Sequence, residues 1–208
     1  MSNEPFKVKD NIQEFIDEIK AYDSIRVDEI PEYRLFISQI EEFFDMKLGA
    51  NINGDEEKKT ISKTMIQNYI KDGLIMPPEG KSYNRNHIIL LAMIYNLKSI
   101  LTIKDIKKLL LPILELAEDE DKDEKIEYIY NTFYSIKESY LDEFPQLLDY
   151  DMDLICQKLD NSEEVGCEKI QQILLILTLV TQANVCKKLA ERIIELHFSN
   201  PDDEQVDP

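Results

Sequence analysis

The chain has 208 residues, of which 43% are hydrophobic and 32% are charged. That length can bury a core in one domain or in two small ones, and the composition excludes a disordered chain. A formal net charge of −18 argues against nonspecific nucleic-acid binding by the whole molecule. Five glycines are too few for a β-rich fold with many turns.

The beginning of the chain contains no apolar stretch typical of a signal peptide. The longest apolar run, at 173–180, is too short to span a bilayer. We therefore predict a cytoplasmic protein without a membrane segment. Cys156, Cys167 and Cys186 are too few and too widely spaced for a disulfide scaffold, so we expect free cysteines in the core, with a metal site as the alternative.

Positive charge is concentrated in one part of the chain. Residues 58–111 contain ten basic and three acidic residues, a net charge of +7. The rest contains fourteen basic and thirty-nine acidic residues, a net charge of −25. This asymmetry indicates a localised anionic partner, and the alternative is an acidic protein with a less acidic core region.

Both ends of the chain are predicted to lie outside the main domains. Residues 1–29 are predicted to form an N-terminal helical extension, because apolar residues recur at helical spacing over 11–22. The acidic residues 200–208 are predicted to be a disordered tail.

A helix is predicted from Pro31 to Phe44, because proline fits the first turn of a helix. Its residues Glu32, Glu41 and Glu42 are expected on the solvated side, and a loop over 49–59 is expected to follow. The expected apolar stripe of this helix contains Tyr33, Phe36, Ile37, Ile40, Phe43 and Phe44.

A short polar helix is predicted between Ser62, a favoured N-cap, and Gly73, which can adopt the left-handed conformation that ends many helices. Apolar residues at 65, 66, 69 and 70 share the side that is expected to pack inward. The other side carries a hydroxyl, two amides and lysines, which are groups that read base edges and contact phosphates. The predicted DNA-contacting residues of this helix are Lys63, Thr64, Gln67, Asn68 and Lys71.

A very small hairpin is predicted after this helix, with a strand at 74–76, a turn at 77–80 and a returning strand at 81–83. This hairpin looks like the wing of a winged helix-turn-helix. We expect Lys81, Tyr83 and Arg85 to contact phosphates or the minor groove. The alternative is a helix–hairpin corner inside an ordinary globular domain.

The same region resembles two known families. The residues similar to the MerR winged-helix pattern are Asn68, Tyr69, Gly73, Leu74, Ile75, Pro77, Tyr83, Arg85, Leu101, Thr102, Ile103 and Ile106. The segments KTMIQNYIK, PP and LKSILTIKDI also resemble an uncharacterised bacterial family called domain of unknown function 1836, over about Ile30 to Leu110. The resemblance implies a MerR-like DNA-binding module without an activity that can be carried over. Unlike in ordinary MerR proteins, the loop at 49–59 separates the two helices of the expected helix-turn-helix.

A central helix is predicted from Asn84 to about Ser99, since no charged residue lies between 88 and 97. A helix that is apolar on nearly every side is buried, so this helix is expected to be the hub of the module. Thr102 and Asp105 resemble a capping box that opens another helix. The lysines expected on the solvated outer face of that helix are Lys104, Lys107 and Lys108.

Pro112 is interpreted as the boundary between the winged domain, 30–111, and an acidic C-terminal helical domain, 112–199. One helix is expected over 126–144, and Pro145 is expected to start another that reaches about residue 159. The last helix is expected over 167–198, with its apolar half at 173–180 buried. The residues of this helix spaced 4-3-4-3-4-3, as in a coiled-coil seam, are Leu175, Leu179, Gln182, Cys186, Leu189, Ile193 and Leu196.

The resemblance implies a homodimer through the C-terminal helices, because MerR-like proteins dimerise in this way. Packing of the last helix within its own chain explains the seam equally well.

No glycine-rich phosphate loop, HExxH motif or nucleophile elbow is present, so we predict neither an enzyme nor a bound cofactor or metal. The sequence thus predicts a mainly α-helical protein with a MerR-like winged helix-turn-helix, a small β-hairpin wing and a C-terminal helical domain. The predicted function is a bacterial, sequence-specific transcription regulator that binds double-stranded DNA. The alternative is a protein-interaction module that retains a winged-helix shape without DNA binding.

Overall fold

The computed structural model of the protein describes residues 14, 16, 17, 25–49, 60–115, 122–159 and 168–198, with only the backbone at 122 and 123. Several predictions lie outside these residues: most of the N-terminal helix, most of the loop over 49–59, Cys167 at the start of the last helix, and the tail.

The described part of the chain is mainly α-helical, as predicted. It contains six α-helices, two strands of two residues each, and a short 3₁₀ turn at Val27–Glu29. The helices are α1 (Ile37–Leu48), α2 (Lys63–Lys71), α3 (Arg85–Leu97), α4 (Ile103–Glu115), α5 (Lys122–Lys158) and α6 (Glu168–His197), and the strands are β1 (Leu35–Phe36) and β2 (Ser82–Tyr83).

The two strands pair with each other in an antiparallel sheet, with Leu35 opposite Tyr83 and Phe36 opposite Ser82. The predicted hairpin is therefore wrong in its first strand. Residues 74–76 form no strand, and the partner of β2 comes from a segment more than forty residues earlier. Leu74 and Ile75 are buried, so their apolar character serves the core rather than a local strand pair.

The helix predicted from Pro31 instead begins at Ile37, after β1. Residues 35 and 36 are held in the sheet, and the side chain of Gln39 accepts a hydrogen bond from the Phe36 N–H at the start of the helix. The predicted core stripe is accordingly wrong at its beginning, because Tyr33 is 69% exposed and Phe36 is 57% exposed. The remainder of the stripe is confirmed, with Ile40, Phe43 and Phe44 buried.

The chain divides into two compact units, and two of the three divisions fall within α5 and α6. The larger unit comprises Tyr22–Ser135 and Ala190–Pro208. Its centre is α3, in which every residue from 86 to 94 is buried. The predicted hub helix is therefore confirmed, and its N-cap is Asn84, whose side chain accepts the N–H of His87.

The smaller unit comprises Met1–Ala21 and Ile136–Leu189. One cluster of its core lies between α5 and α6, with Leu148, Ile155 and Leu175 buried, and Ile16 is buried as well. Beside this cluster, the Gln182 amide donates to both carboxylate oxygens of the buried Asp151, at 2.9 and 3.1 Å.

Neither proline interrupts a helix, although Pro145 was predicted to start one. Pro112 lies inside α4 and Pro145 lies inside α5. A proline in a helix removes one backbone hydrogen bond and costs about 3 kcal/mol. Apolar residues on both sides of each proline pack into a core, such as Phe144 and Leu148 around Pro145, and this burial offsets the cost.

The prediction that the segment 173–180 of α6 is buried is also wrong for half of its residues, and Cys156 and Cys186 do not lie in the core as predicted. Four apolar residues of its segment 173–180 are more than half exposed, because only the side that carries Leu175 faces α5. Cys156 and Cys186 are exposed free thiols. The exposed apolar residues of this segment are Ile173, Ile176, Leu177 and Val180.

Candidate nucleic-acid interface

Helix α2 has defined ends that its own sequence encodes. The Ser62 hydroxyl accepts the N–H of Met65 at the N-terminus, as predicted. At the C-terminus, Gly73 has a φ of +72°, its N–H donates to Ile70, and the Leu74 N–H donates to Tyr69. This pair of hydrogen bonds is the Schellman motif, which a left-handed glycine permits.

The two faces of α2 are separated as the spacing predicts. Ile66 and Tyr69 are buried, while Met65 and Ile70 are partly buried against the same core. Burial raises the pKa of the Tyr69 hydroxyl, so this ring is a neutral core residue. The exposed residues of α2 include all five that we predicted to contact DNA: Lys63, Thr64, Gln67, Asn68 and Lys71.

Carboxylates of α1 hold the N-terminus of α2. Glu41 accepts the backbone N–H of Lys63 at 2.8 Å, so it caps α2 and is not the purely solvated residue that we predicted. Asp45 accepts both the N–H and the hydroxyl of Thr60, at 3.0 and 2.7 Å. The Thr60 carbonyl in turn accepts the Lys98 amine, so one buried residue just before α2 is bonded to α1 and to the end of α3.

A cation lies next to the C-terminus of α2. A Cβ at Gly73 would be 3.6 Å from the Lys107 amine, which places this exposed lysine of α4 beside the end of the helix. A positive charge at that position interacts favourably with the helix dipole. It also adds a basic group at the C-terminal end of α2.

The sheet side of the candidate interface contains one exposed predicted residue. Lys81, immediately before β2, is exposed, whereas Tyr83 is buried and the pKa of its hydroxyl is raised by burial. Arg34, which the sequence analysis did not single out, forms an ion pair with Glu79 at 2.5 Å. Two exposed cationic side chains thus flank the strands, and Glu79 pairs with that of Arg34.

Arg85 is part of the framework of the fold. Its guanidinium donates to the backbone carbonyls of Ile30 and Val27, at 2.8 and 2.7 Å. Its Nε lies 2.7 Å from a carboxylate oxygen of Glu127. The structure therefore uses the Arg85 guanidinium within the fold, although we had predicted that it contacts DNA.

His87 fastens α3 to the segment that leads into β2. Its Nδ1 accepts the N–H of Asn84, and its Nε2 lies 3.4 Å from the carbonyl of Pro77. The ring also packs edge-on against Tyr83. Burial lowers the pKa of His87, so the neutral imidazole fits this position and a phosphate contact does not.

Sequence reasoning missed the contacts that join distant segments. Asp45 and Arg34 each bond a partner more than a dozen residues away, and nothing in their local pattern indicates which partner that is. Glu79, the partner of Arg34, gave a weak signal of such a contact, because it is one of only three acidic residues in the basic segment 58–111. Among the described residues, no three side chains of histidine, cysteine, aspartate or glutamate are grouped so that they could hold a metal ion.

Comparison with known proteins places the larger unit within a family. Residues 25–133 match the family described as "Domain of unknown function (DUF1836)", and these limits nearly coincide with the first segment of the larger unit, Tyr22–Ser135. No curated protein and no solved structure matches the chain. Because the match covers more than half of its residues, the chain belongs to the DUF1836 family.

Proposed function

We propose that the protein is a sequence-specific DNA-binding regulator of transcription, of the MerR-like winged helix-turn-helix type. The observation that carries this proposal is the exposed face of α2, which bears a hydroxyl, two amides and two amines. Hydrogen bonds fix both ends of this helix. This face lies in the only strongly basic segment of an otherwise acidic chain.

The dimensions of α2 suit the major groove. An α-helix with its side chains is about 10–12 Å in diameter, and the major groove is about 12 Å wide, so the nine-residue α2 can enter it. The amides of Gln67 and Asn68 would pair with adenine edges, and Thr64 would contact a base or a phosphate. Lys63 and Lys71 would contact the phosphates on either side.

The exposed cations around α2 would fix its position on the duplex. Lys81 would contact a phosphate from the sheet side, and Lys107 would do so from the end of α2. Tyr83 and Arg85 keep the sheet and α3 in place and do not belong to the proposed contact set. We further propose that the regulator acts in the cytoplasm as a homodimer formed through its C-terminal helices, without catalytic activity.

The second candidate function is a protein-interaction module. It is favoured by three exposed apolar side chains, Tyr33, Phe36 and Met46, which lie in and around β1 and α1. The net charge of −25 outside the basic segment also favours it, because this charge would repel a duplex that approached from another side.

A selection from genomic fragments distinguishes the two candidates. The purified full chain is incubated with a fragment library, and bound fragments are sequenced over several rounds. We expect enrichment of a small set of fragments that share a motif. The double variant Gln67→Ala/Asn68→Ala should lose this enrichment while keeping its circular dichroism spectrum. A parent protein that enriches no motif would leave the interaction module as the better account.

A further inference from the structure

An exposed apolar stripe runs along α5 in the smaller unit. Five of its apolar residues follow one another at intervals of 4, 7, 3 and 4 positions. Glu143 lies within the interval of 7, and when it is included the intervals become 4, 3, 4, 3 and 4. This is the heptad repeat by which one helix packs along another. The five apolar residues of the stripe, each between 37% and 67% exposed, are Ile136, Tyr140, Leu147, Tyr150 and Leu154.

The stripe is separate from the face that α5 uses within its own chain. That inner face carries Leu148, Asp151 and Ile155, which are buried against α6. On a helical projection the centre of the inner face lies roughly 100° away from the stripe. The smaller unit therefore has an exposed apolar face on α5, in which the Tyr140 ring contacts Phe144 one turn further along the same helix.

The stripe is complementary to itself. A 4-3-4-3-4 spacing reads the same from both ends, so two antiparallel copies related by a two-fold axis near Pro145 match position by position. Ile136 would lie opposite Leu154 of the second copy, and Tyr140 would lie opposite Tyr150. Glu143 would lie opposite Leu147.

We propose that this stripe is the dimer interface of the protein and that its occupant is the same stripe of a second copy, in antiparallel orientation. The inference deepens the homodimer part of the proposed function by naming the surface, and it does not depend on DNA binding. It also replaces the predicted seam on α6, because Leu175 and Gln182 of that seam are occupied by α5 within one chain.

The area of the stripe suits such a pair. Five side chains at these exposures present on the order of 600 Å² per copy, the upper end for an apolar patch on a monomer. Two copies would bury about 1,200 Å², the lower end for specific protein interfaces.

A membrane surface is a poorer occupant. Among the described residues, α6 alone is long and apolar enough to cross a membrane by length and composition. The stripe, however, lies on α5, where the exposed Asp149 and Asp153 flank Tyr150 and Leu154. Carboxylates at that depth in a bilayer are costly, whereas at the rim of a helix pair they remain in water.

The test uses the one unfavourable residue of the stripe. Sedimentation velocity of the full chain between about 1 and 100 μM should show a monomer–dimer equilibrium. The change Glu143→Leu should tighten the dimer at least about tenfold, because it places leucine against Leu147 of the second copy. The matched control Glu138→Leu replaces another exposed glutamate of α5 outside the stripe, and it should leave the dissociation constant unchanged.

A disruptive pair of variants completes the test. Leu147→Asp/Leu154→Asp should weaken the dimer about 100-fold with an unchanged circular dichroism spectrum, since both side chains are exposed in the monomer. Ile176→Asp, on the exposed face of α6, should have no effect. A monomeric parent at 100 μM, equal effects of the two glutamate changes, or dissociation by Ile176→Asp alone would each overturn the proposal. Loss of DNA selection with an intact dimer would count against the proposed function only.

Discussion

At the scale of single residues, two neighbouring basic side chains have opposite roles. Lys81 is exposed to solvent, whereas Arg85 donates to two backbone carbonyls and forms an ion pair with Glu127. Both are basic residues close to a predicted wing, and their local sequence does not distinguish them. The partners of Arg85 lie more than forty residues away in each direction, so its role depends on the tertiary fold.

The change Arg85→Ala should therefore reduce stability. It leaves the carbonyls of Val27 and Ile30 without their donor and Glu127 without its cation, which should cost roughly 2–4 kcal/mol of unfolding free energy in urea titrations. Lys81→Ala is the matched comparison and should change stability by less than about 0.5 kcal/mol. In DNA-binding assays the order should reverse, with the folded Lys81→Ala protein weakened on every sequence. Equal stability of the two variants would refute the framework role of Arg85.

The change Asn68→Ala tests base reading by α2. Its amide is exposed, so its removal should leave the fold intact. On the preferred fragment it should cost roughly 1–3 kcal/mol of binding free energy and relax the preference at one base position. Affinities for the four single-base variants at each position measure this effect. A uniform loss on all sequences would assign Asn68 to phosphate contact instead.

The buried His87 should make stability depend on pH. Burial lowers its pKa in the folded protein below the ordinary 6.5, so protons bind the unfolded chain first. The contribution of His87 is present above about pH 6.5 and is lost as the pH falls toward the folded pKa, by up to about 1.4 kcal/mol per pH unit. The stability advantage of the parent over His87→Gln should therefore shrink between pH 7.5 and 5.5. An advantage that stays constant over this range would contradict a neutral, buried His87.

At the scale of secondary-structure elements, α2 depends on its two ends. The carboxylates of Glu41 and Asp45 hold its start, and Gly73 closes its end with two hydrogen bonds. Nine residues are too few for a helix to be stable in isolation, so these contacts and the buried Ile66 and Tyr69 determine whether the exposed face is presented.

The change Gly73→Ala should destabilise the protein by roughly 1–2 kcal/mol, because alanine is strained at a φ of +72°. Gly49→Ala is the matched control. Gly49 has a φ of −69° at the end of α1, and an added Cβ there has no atom within 4 Å. Urea midpoints should fall for Gly73→Ala and stay level or rise for Gly49→Ala. The same fall for both variants would mean that the loss reflects glycine removal in general.

The sequence predicts the elements whose signals are local. The caps of α2, α3 and α4, the buried α3 and the two faces of α2 all follow from residues within one or two turns. The sequence does not predict the features that depend on contacts with residues far away in the chain. The strand β1 pairs with β2, and the continuity of α4 and α5 through proline depends on tertiary packing. In the candidate site, the exposure of the polar residues of α2 was predictable from the sequence, whereas the hydrogen bonds of Arg85 to the backbone were not.

At the scale of the whole molecule, the chain has two parts that differ in net charge and in their match to the family. The family match covers most of the first segment of the larger unit, Tyr22–Ser135, which contains the basic segment. It ends at residue 133, close to Ile136 in α5, where the second segment of the smaller unit begins. Outside the basic segment the chain carries a net charge of −25. This charge would suppress nonspecific binding, so the proposed regulator should bind DNA only through its basic surface.

The salt dependence of binding tests this account most directly. Anisotropy titrations of a labelled fragment from the genomic selection, and of a scrambled fragment, are made between about 50 and 200 mM salt. With about four to six phosphate contacts per dimer, log affinity for the selected fragment should fall against log salt with a slope of about −4 to −5. The scrambled fragment should bind far more weakly at every salt concentration. A slope near zero, or equal affinity for the two fragments, would contradict sequence-specific DNA binding by the face of α2.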